Sequence, residues 1–156
     1  MTNDIYFYYA EQENGFLSNF YPCTIRLDGY AWPSSEHYYQ AQKFTDNKYK
    51  YWILHAPTAH DAFKATRFVK PERIRSDWEK VRVGVMETVV KAKFTQNHEL
   101  EEKLLSFGKD AVFHEASPVD SFWGIGADGK GLNMLGNILT KYKNDRLDFY
   151  NGDWLM

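Results

Sequence analysis

The sequence contains a single cysteine, Cys23, in 156 residues. One thiol excludes an intrachain disulfide and a cysteine-built zinc site. No apolar run is long enough to span a bilayer, and the opening Met-Thr-Asn-Asp has neither the basic nor the apolar region of a signal peptide. A cytoplasmic location without a membrane partner is therefore expected. Neither internal repeats nor a low-complexity linker interrupts the chain. An excess of one charge sign is also lacking: 19 Lys and Arg face 21 Asp and Glu, for a formal net charge of -2. That balance gives no global attraction to nucleic acid, although a local basic patch is compatible with it. No metal-ligand cluster is visible, so neither a metal nor another cofactor is expected.

What is present suffices for a packed domain. The length suits one domain over 1–156, with a core from about residue 5 to 145. Hydrophobic residues make up 44% of the chain and aromatic residues 17%. Rings fill cores, and they also wall sites for flat ligands.

The most informative stretch runs from Trp32 to Phe44. Pro33 disfavours helix at Trp32. Ser34 is a good N-cap, because its hydroxyl accepts from a free amide two or three residues on. Glu36 then falls in the first turn, where the helix dipole favours its charge. On a helix, Glu36, Tyr39, Gln40 and Lys43 share one stripe, and His37 and Ala41 another. Spacing leaves two roles open for Glu36: a dipole partner, or the carboxylate of a site.

Around this stretch the chain alternates short strands and helices. Ile5 to Tyr9 reads as a strand. Asp28-Gly29 is a two-residue hairpin turn between Thr24–Leu27 and Tyr30–Trp32. After Phe44 the helical pattern continues, with a break near Asp46-Asn47. Pro57-Thr58 starts a further helix, with Asp61 in a near capping box, running to about Phe68 and carrying Arg67. Ser76-Asp77-Trp78-Glu79 is a full capping box, followed by two apolar faces. A long central helix ending near Asn97 is expected, with Trp78 either in the core or reaching a site. A short helix from Glu99 to Phe107, closed by Gly108, and a strand from Ala111 to Glu115 follow.

A second informative stretch is Asp120 to Gly136, which holds Gly124, Gly126, Gly129, Gly131 and Gly136. Such a loop opening a helix, here from about Leu132 to Tyr142, is either a tight connection or a phosphate cradle. It is not a P-loop, because Gly129-Lys130 is followed by Gly131. It lacks the context and spacing of a dinucleotide fingerprint. The tail after Asp145 is polar and aromatic, with Phe149 or Trp154 available to order part of it.

These blocks carry a resemblance. Phe16-Leu17-Ser18-Asn19-Phe20, the stretch Trp32 to Phe44, Asp77-Trp78-Glu79, Lys93-Phe94 and Asp120 to Gly136 together resemble the YbiA-like family, also called NADAR. The match runs in order from about Tyr6 to Tyr142. The resemblance implies an α+β fold, a single compact, mainly helical domain with a small antiparallel sheet. It implies N-glycosidase chemistry, cleaving a base from ribose. Bacterial members act on phosphorylated ribosylamino-pyrimidine intermediates of riboflavin biosynthesis. Other branches are associated with ADP-ribose, including its removal from modified guanine in DNA. One departure is Thr66, where members often carry Gly before the arginine matching Arg67.

The residue chemistry fits that class. Base cleavage requires stabilisation of a ribosyl cation, an oriented water and help for the leaving base. Glu36 and Asp120 are the acids in the specific blocks, and the resemblance marks both, with Trp78, as catalytic. Phe20, Trp78 and Trp123 offer aromatic walls. Lys43, Arg67 and the loop around Gly124, Gly129 and Gly131 offer cations and amides to a phosphate. Asn19 and Asn133 offer amides to hydroxyls or a base edge. The lone histidines His37, His55 and His114 suit structural roles better. The expected partner is a small ribosylated or ADP-ribosylated molecule, with nucleic acid possible as a modified substrate. Two alternatives stand beside this: hydrolysis of ADP-ribose from guanine in DNA, and non-catalytic binding of ADP-ribose or a nucleotide.

Overall fold

The computed structural model describes residues 2–152; Trp154 lies outside them. In chain order the elements are β1 (Asn3–Phe7), β2 (Ile25–Leu27), β3 (Tyr30–Trp32), α1 (Ser35–Ala41), α2 (Asn47–Leu54) and α3 (Ala59–Ala65). Then come α4 (Trp78–Gln96), α5 (His98–Leu105), β4 (Ala111–Glu115) and α6 (Met134–Tyr150). The expected class holds: an α+β fold, mainly helical, with a small antiparallel sheet. The chain divides into two compact units, one from Asn19 to Asn97 and one formed by the segments before and after it.

In the unit from Asn19 to Asn97, β2 and β3 pair antiparallel with Arg26 opposite Ala31. Asp28 and Gly29 both have positive φ, 55° and 84°, as a tight Asp-Gly hairpin turn requires. Gln96, at the end of α4, clamps this hairpin: its Oε1 accepts from the Arg26 amide at 2.7 Å and its Nε2 donates to the Arg26 carbonyl at 2.8 Å. The hairpin delivers the chain to α1. Ser34 caps α1 as expected, its hydroxyl accepting from the His37 amide.

The helical pattern after α1 breaks earlier than expected. The helix ends at Ala41, and Asp46 caps α2 by accepting from the Lys48 amide at 2.9 Å. A side-chain cap satisfies an amide that a continuous helix would have to bond internally, so the chain restarts there. Thr58 caps α3 and receives Asp61 as the near capping box predicted.

The long helix α4 buries Met86, Val89, Val90 and Phe94, while Val85 is half-buried. Its start corrects the sequence expectation. Asp77, not Ser76, is the N-cap residue, and it makes no side-chain cap bond. Its carboxylate is held instead by the Arg75 guanidinium, at 2.6 and 3.0 Å. The two-pronged pair with the guanidinium supplies two charge-assisted bonds where a cap would supply one.

In the other unit, β1 and β4 pair parallel, with Ile5 opposite Phe113. The helix α6 runs on to Tyr150, well past the expected end near Tyr142. The extension is held by side chains. Lys143 is buried and donates to the Gly108 and Ala111 carbonyls. Glu101 on α5 accepts from Tyr142, Tyr150 and the Arg146 guanidinium.

Candidate active site

The start of α1 places Glu36. Glu36 is buried, at 6% exposure, and the main-chain carbonyl of Asn19 accepts its amide at 3.0 Å. That bond takes one of the amides a helix start leaves without a partner. The Asn19 side chain donates to Met86 Sδ at 3.3 Å, which fixes the segment carrying the carbonyl. One turn on, Gln40 donates through Nε2 to Glu36 Oε1 at 3.1 Å.

Lys43 follows just past the end of α1, its amide donating to the Gln40 carbonyl at 3.2 Å. It is half-buried, and burial lowers its pKa from the usual lysine value. The Glu36 carboxylate opposes that shift and the Arg67 guanidinium adds to it. These two influences place an acid and a second cation within electrostatic reach of one ammonium. Lys43 also lies over the Tyr39 ring, 5.7 Å from its centroid. The Arg75 amide donates to the Lys43 carbonyl at 2.8 Å, fixing the backbone there.

Arg67 is exposed in a 3-10 turn after α3, stacked 4.7 Å from the Phe63 ring centroid. The Thr66 departure costs nothing, since Thr66 has φ -65° and its hydroxyl donates to the Phe63 carbonyl. Phe63 in turn lies 6.0 Å from Phe20. Trp78 is 8% exposed and meets Tyr39 edge-on at 5.1 Å. Glu36, Lys43 and Arg67 are thus brought together, with Tyr39 and Trp78 as an aromatic pair beside them. Tyr39 and Gln40 were not among the expected site residues. Their i+3 and i+4 spacing from Glu36 was the available signal.

His37 has a structural role, as expected. Its Nε2 donates to the Ala56 carbonyl at 2.9 Å, so its Nδ1 accepts from the Ser34 hydroxyl at 2.7 Å. Burial lowers its pKa.

In the other unit, three amides of the glycine loop are engaged by the loop's own acceptors. The Gly129 amide donates to the Gly126 carbonyl, the Lys130 amide to Asp128 and the Gly131 amide to the Ile125 carbonyl at 2.6 Å. The glycines answer to the loop's own closure. Gly129 has φ +73°, and a Cβ on Gly131 would lie 2.5 Å from the Gly124 carbonyl oxygen. A Cβ on Gly124 would meet the Glu115 carbonyl at 2.7 Å. The Gly129, Lys130 and Gly131 amides thus donate within the loop itself.

Asn133 lies at the start of α6. It is buried, its Oδ1 accepts from the Glu115 amide and its Nδ2 donates to the Phe113 carbonyl, both at 2.9 Å. It ties β4 to α6 and has φ +52°. Asp120 accepts the Phe122 and Trp123 amides on Oδ1, at 2.9 and 2.8 Å. Its Oδ2 makes no hydrogen bond among the described residues. Trp123 is buried and meets Phe122 edge-on at 4.8 Å.

The unit from Asn19 to Asn97 thus sets a buried carboxylate within electrostatic reach of Lys43, itself coupled to Arg67, with Tyr39 and Trp78 in edge-on contact. The NADAR domain profile matches residues 6–146, and the chain belongs to the NADAR family. It is 39% identical over 139 residues to N-glycosidase YbiA of Escherichia coli strain K12, covering 89% of this chain and 86% of that protein. It is 38% identical over 143 residues to N-glycosidase Npun_R5314 of Nostoc punctiforme, covering 90% and 91%. It is 46% identical over 145 residues to riboflavin biosynthesis protein VVA0006 of Vibrio vulnificus, where the match covers 93% of this chain and only 39% of that longer protein. The NMR structure of E. coli YbiA matches with a TM-score of 0.84 and 38% identity, over 97% of this chain and 89% of that one.

Proposed function

We propose that this chain hydrolyses the N-glycosidic bond of a small phosphorylated, ribosylated base, with the ribosylamino-pyrimidine intermediates of riboflavin biosynthesis as its substrates. Its class is that of a hydrolase acting on N-glycosyl compounds, an N-glycosidase, as its relatives are named. The observation that supports the substrate is the Glu36–Lys43–Arg67 cluster. It joins a buried carboxylate to two cations, one of them already partly desolvated.

In this reading Lys43 and Arg67 hold the phosphate. Lys43 acts as a point charge, and Arg67 as a planar fork stiffened by its stacking on Phe63. The base lies against the Tyr39–Trp78 wall. As the C–N bond breaks, positive charge grows on the ribose ring. The Glu36 carboxylate stabilises that charge more in the transition state than in the ground state. A water attacks the anomeric carbon, its oxygen forming the new C–O bond. Glu36 takes the water's proton and delivers it to the departing nitrogen, which keeps the bonding pair. Gln40, bonded to Oε1, holds the carboxylate in one orientation. Asp120 is proposed as a further catalytic residue on family membership alone.

The test is direct. Purified protein is incubated separately with a phosphorylated ribosylamino-pyrimidine, an oligonucleotide carrying ADP-ribosylated guanine, and ADP-ribose. Released base and ribose phosphate are followed by chromatography. Turnover of the first substrate is expected. Turnover of the oligonucleotide alone, or ADP-ribose binding without any turnover, would overturn the proposal in favour of the corresponding alternative.

A further inference from the structure

Gln40 is buried at 3% exposure, and only half of its amide has a partner. Its Nε2 donates to Glu36 Oε1 at 3.1 Å. An ionised carboxylate only accepts, so this bond fixes which end of the amide faces Glu36. The nitrogen must point at the acid, and the carbonyl oxygen Oε1 must point away. Oε1 is enclosed and accepts no hydrogen bond among the described residues. Buried polar atoms are nearly always satisfied, so an orphaned acceptor on the side chain that holds Glu36 calls for a donor from a ligand.

The stripe says which donor. Glu36 comes first, Gln40 one turn later, and Lys43 three residues beyond, with Arg67 near Lys43. If Glu36 faces the anomeric carbon and the two cations take the 5-phosphate, the furanose ring spans the interval. The hydroxyl next to the anomeric carbon is then the one within reach of Glu36's immediate neighbour. Resting on the function proposed above, we infer that Gln40 Oε1 accepts a hydrogen bond from the ribose 2-hydroxyl. Gln40 thereby makes the site specific for ribose over 2-deoxyribose. The same hydroxyl bond tightens as a ribosyl cation forms, so Gln40 also contributes to turnover.

Binding isolates this inference from the reaction. Ribose 5-phosphate and 2-deoxyribose 5-phosphate are titrated into the wild-type protein, Gln40→Met and Gln40→Asn, and affinities are read by calorimetry. Met keeps the bulk and removes the acceptor; Asn keeps the amide but withdraws it by one methylene. The wild type is expected to bind the ribose compound at least about 10-fold more tightly. Both variants should bring the two affinities within about 3-fold of each other, by weakening the ribose compound while sparing the deoxy one. Should Gln40→Met fail to fold, by circular dichroism and melting temperature, Gln40→Asn decides alone.

Equal wild-type affinities, equal weakening of both compounds, or binding of neither would overturn the assignment. A Gln40-dependent preference without turnover of any ribosylated base would leave the assignment standing and remove the glycosidase function. Turnover without that preference would do the reverse.

Discussion

The main-chain carbonyl of Asn19 accepts the Glu36 amide at 3.0 Å, so the segment before the β2–β3 hairpin holds the helix turn that carries the acid. The backbone of Glu36 is therefore held by a bond that does not involve its side-chain charge. Glu36→Gln should keep this bond, keep an oxygen for Gln40, and lose only the negative charge. A positioned general base typically contributes about 10²–10⁴ in rate. The variant should lose kcat by that order, with substrate still bound and a melting temperature close to wild type. If Glu36 served only the helix dipole, the change would cost about 0.3–1 kcal/mol of stability and leave turnover intact. Measuring kcat and melting temperature on one preparation separates the two.

Arg67 and Lys43 make a second prediction, because one charge acts on the other. Arg67→Ala should raise KM for a phosphorylated substrate by roughly 10- to 100-fold, the effect of losing one charge-assisted contact, with kcat little changed. It should also relieve Lys43. The Lys43 pKa is lowered first by burial and further by Arg67. Wild-type KM should therefore rise at alkaline pH as Lys43 loses its proton, below the usual lysine range. In Arg67→Ala that rise should begin at higher pH. A KM profile that does not move would remove Arg67 from the phosphate site.

His37 predicts a loss of stability in acid. Its folded pKa lies below 6.5, because burial disfavours the imidazolium and Nδ1 is committed as an acceptor from Ser34. The unfolded state therefore binds more protons as pH falls. The stabilising contribution is complete above about pH 6.5 and is lost as pH falls through the folded value. Urea midpoints measured from pH 7.5 to 5 should fall, and His37→Gln should flatten that fall. An unchanged slope in the variant would assign the acid sensitivity to another group.

Lys93 predicts a gain. It is 1% exposed on α4, and burial brings its pKa down from 10.5 to about 8, with Cys23 opposing. Its ammonium lies 5.7 Å from the Tyr21 ring centroid and 5.2 Å from that of Phe94, which offsets part of the cost. Between pH 8 and 10.5 the native state releases this proton before the unfolded state does, so stability should rise with pH there. Lys93→Met should be more stable at pH 7, by no more than about 3 kcal/mol for a shift of this size, and should lack that rise. A less stable variant at pH 7 would show that the ammonium's contacts outweigh its desolvation.

Much of the candidate site was legible in the sequence because it is local. Ser34, Glu36, Gln40 and Lys43 lie within ten residues, and helical periodicity alone puts the last three on one stripe. Asp28-Gly29 fixes its own turn by backbone sterics. The glycine loop was half legible. Its glycines announced unusual backbone, but whether the amides faced a ligand or the loop depended on the Gly126 and Ile125 carbonyls reached only after closure. The missed cap at Ser76 has the same origin: Arg75 competed for Asp77, and pattern reading does not rank a two-pronged ion pair against a cap.

By itself the sequence determined the helical α+β class, the cap that starts α1, and the family, because these rest on neighbouring residues and on blocks of fixed spacing. Only the tertiary structure decided the rest. It brought Arg67 to Lys43 across two helices, paired β1 with β4 from far along the chain, and turned Asn133 inward as a strut. It also left Gln40 Oε1 buried without a hydrogen-bond partner among the described residues. Electrostatic coupling, register and satisfaction of buried polar atoms depend on distances through space, and one-dimensional spacing encodes these only within a single helix or turn.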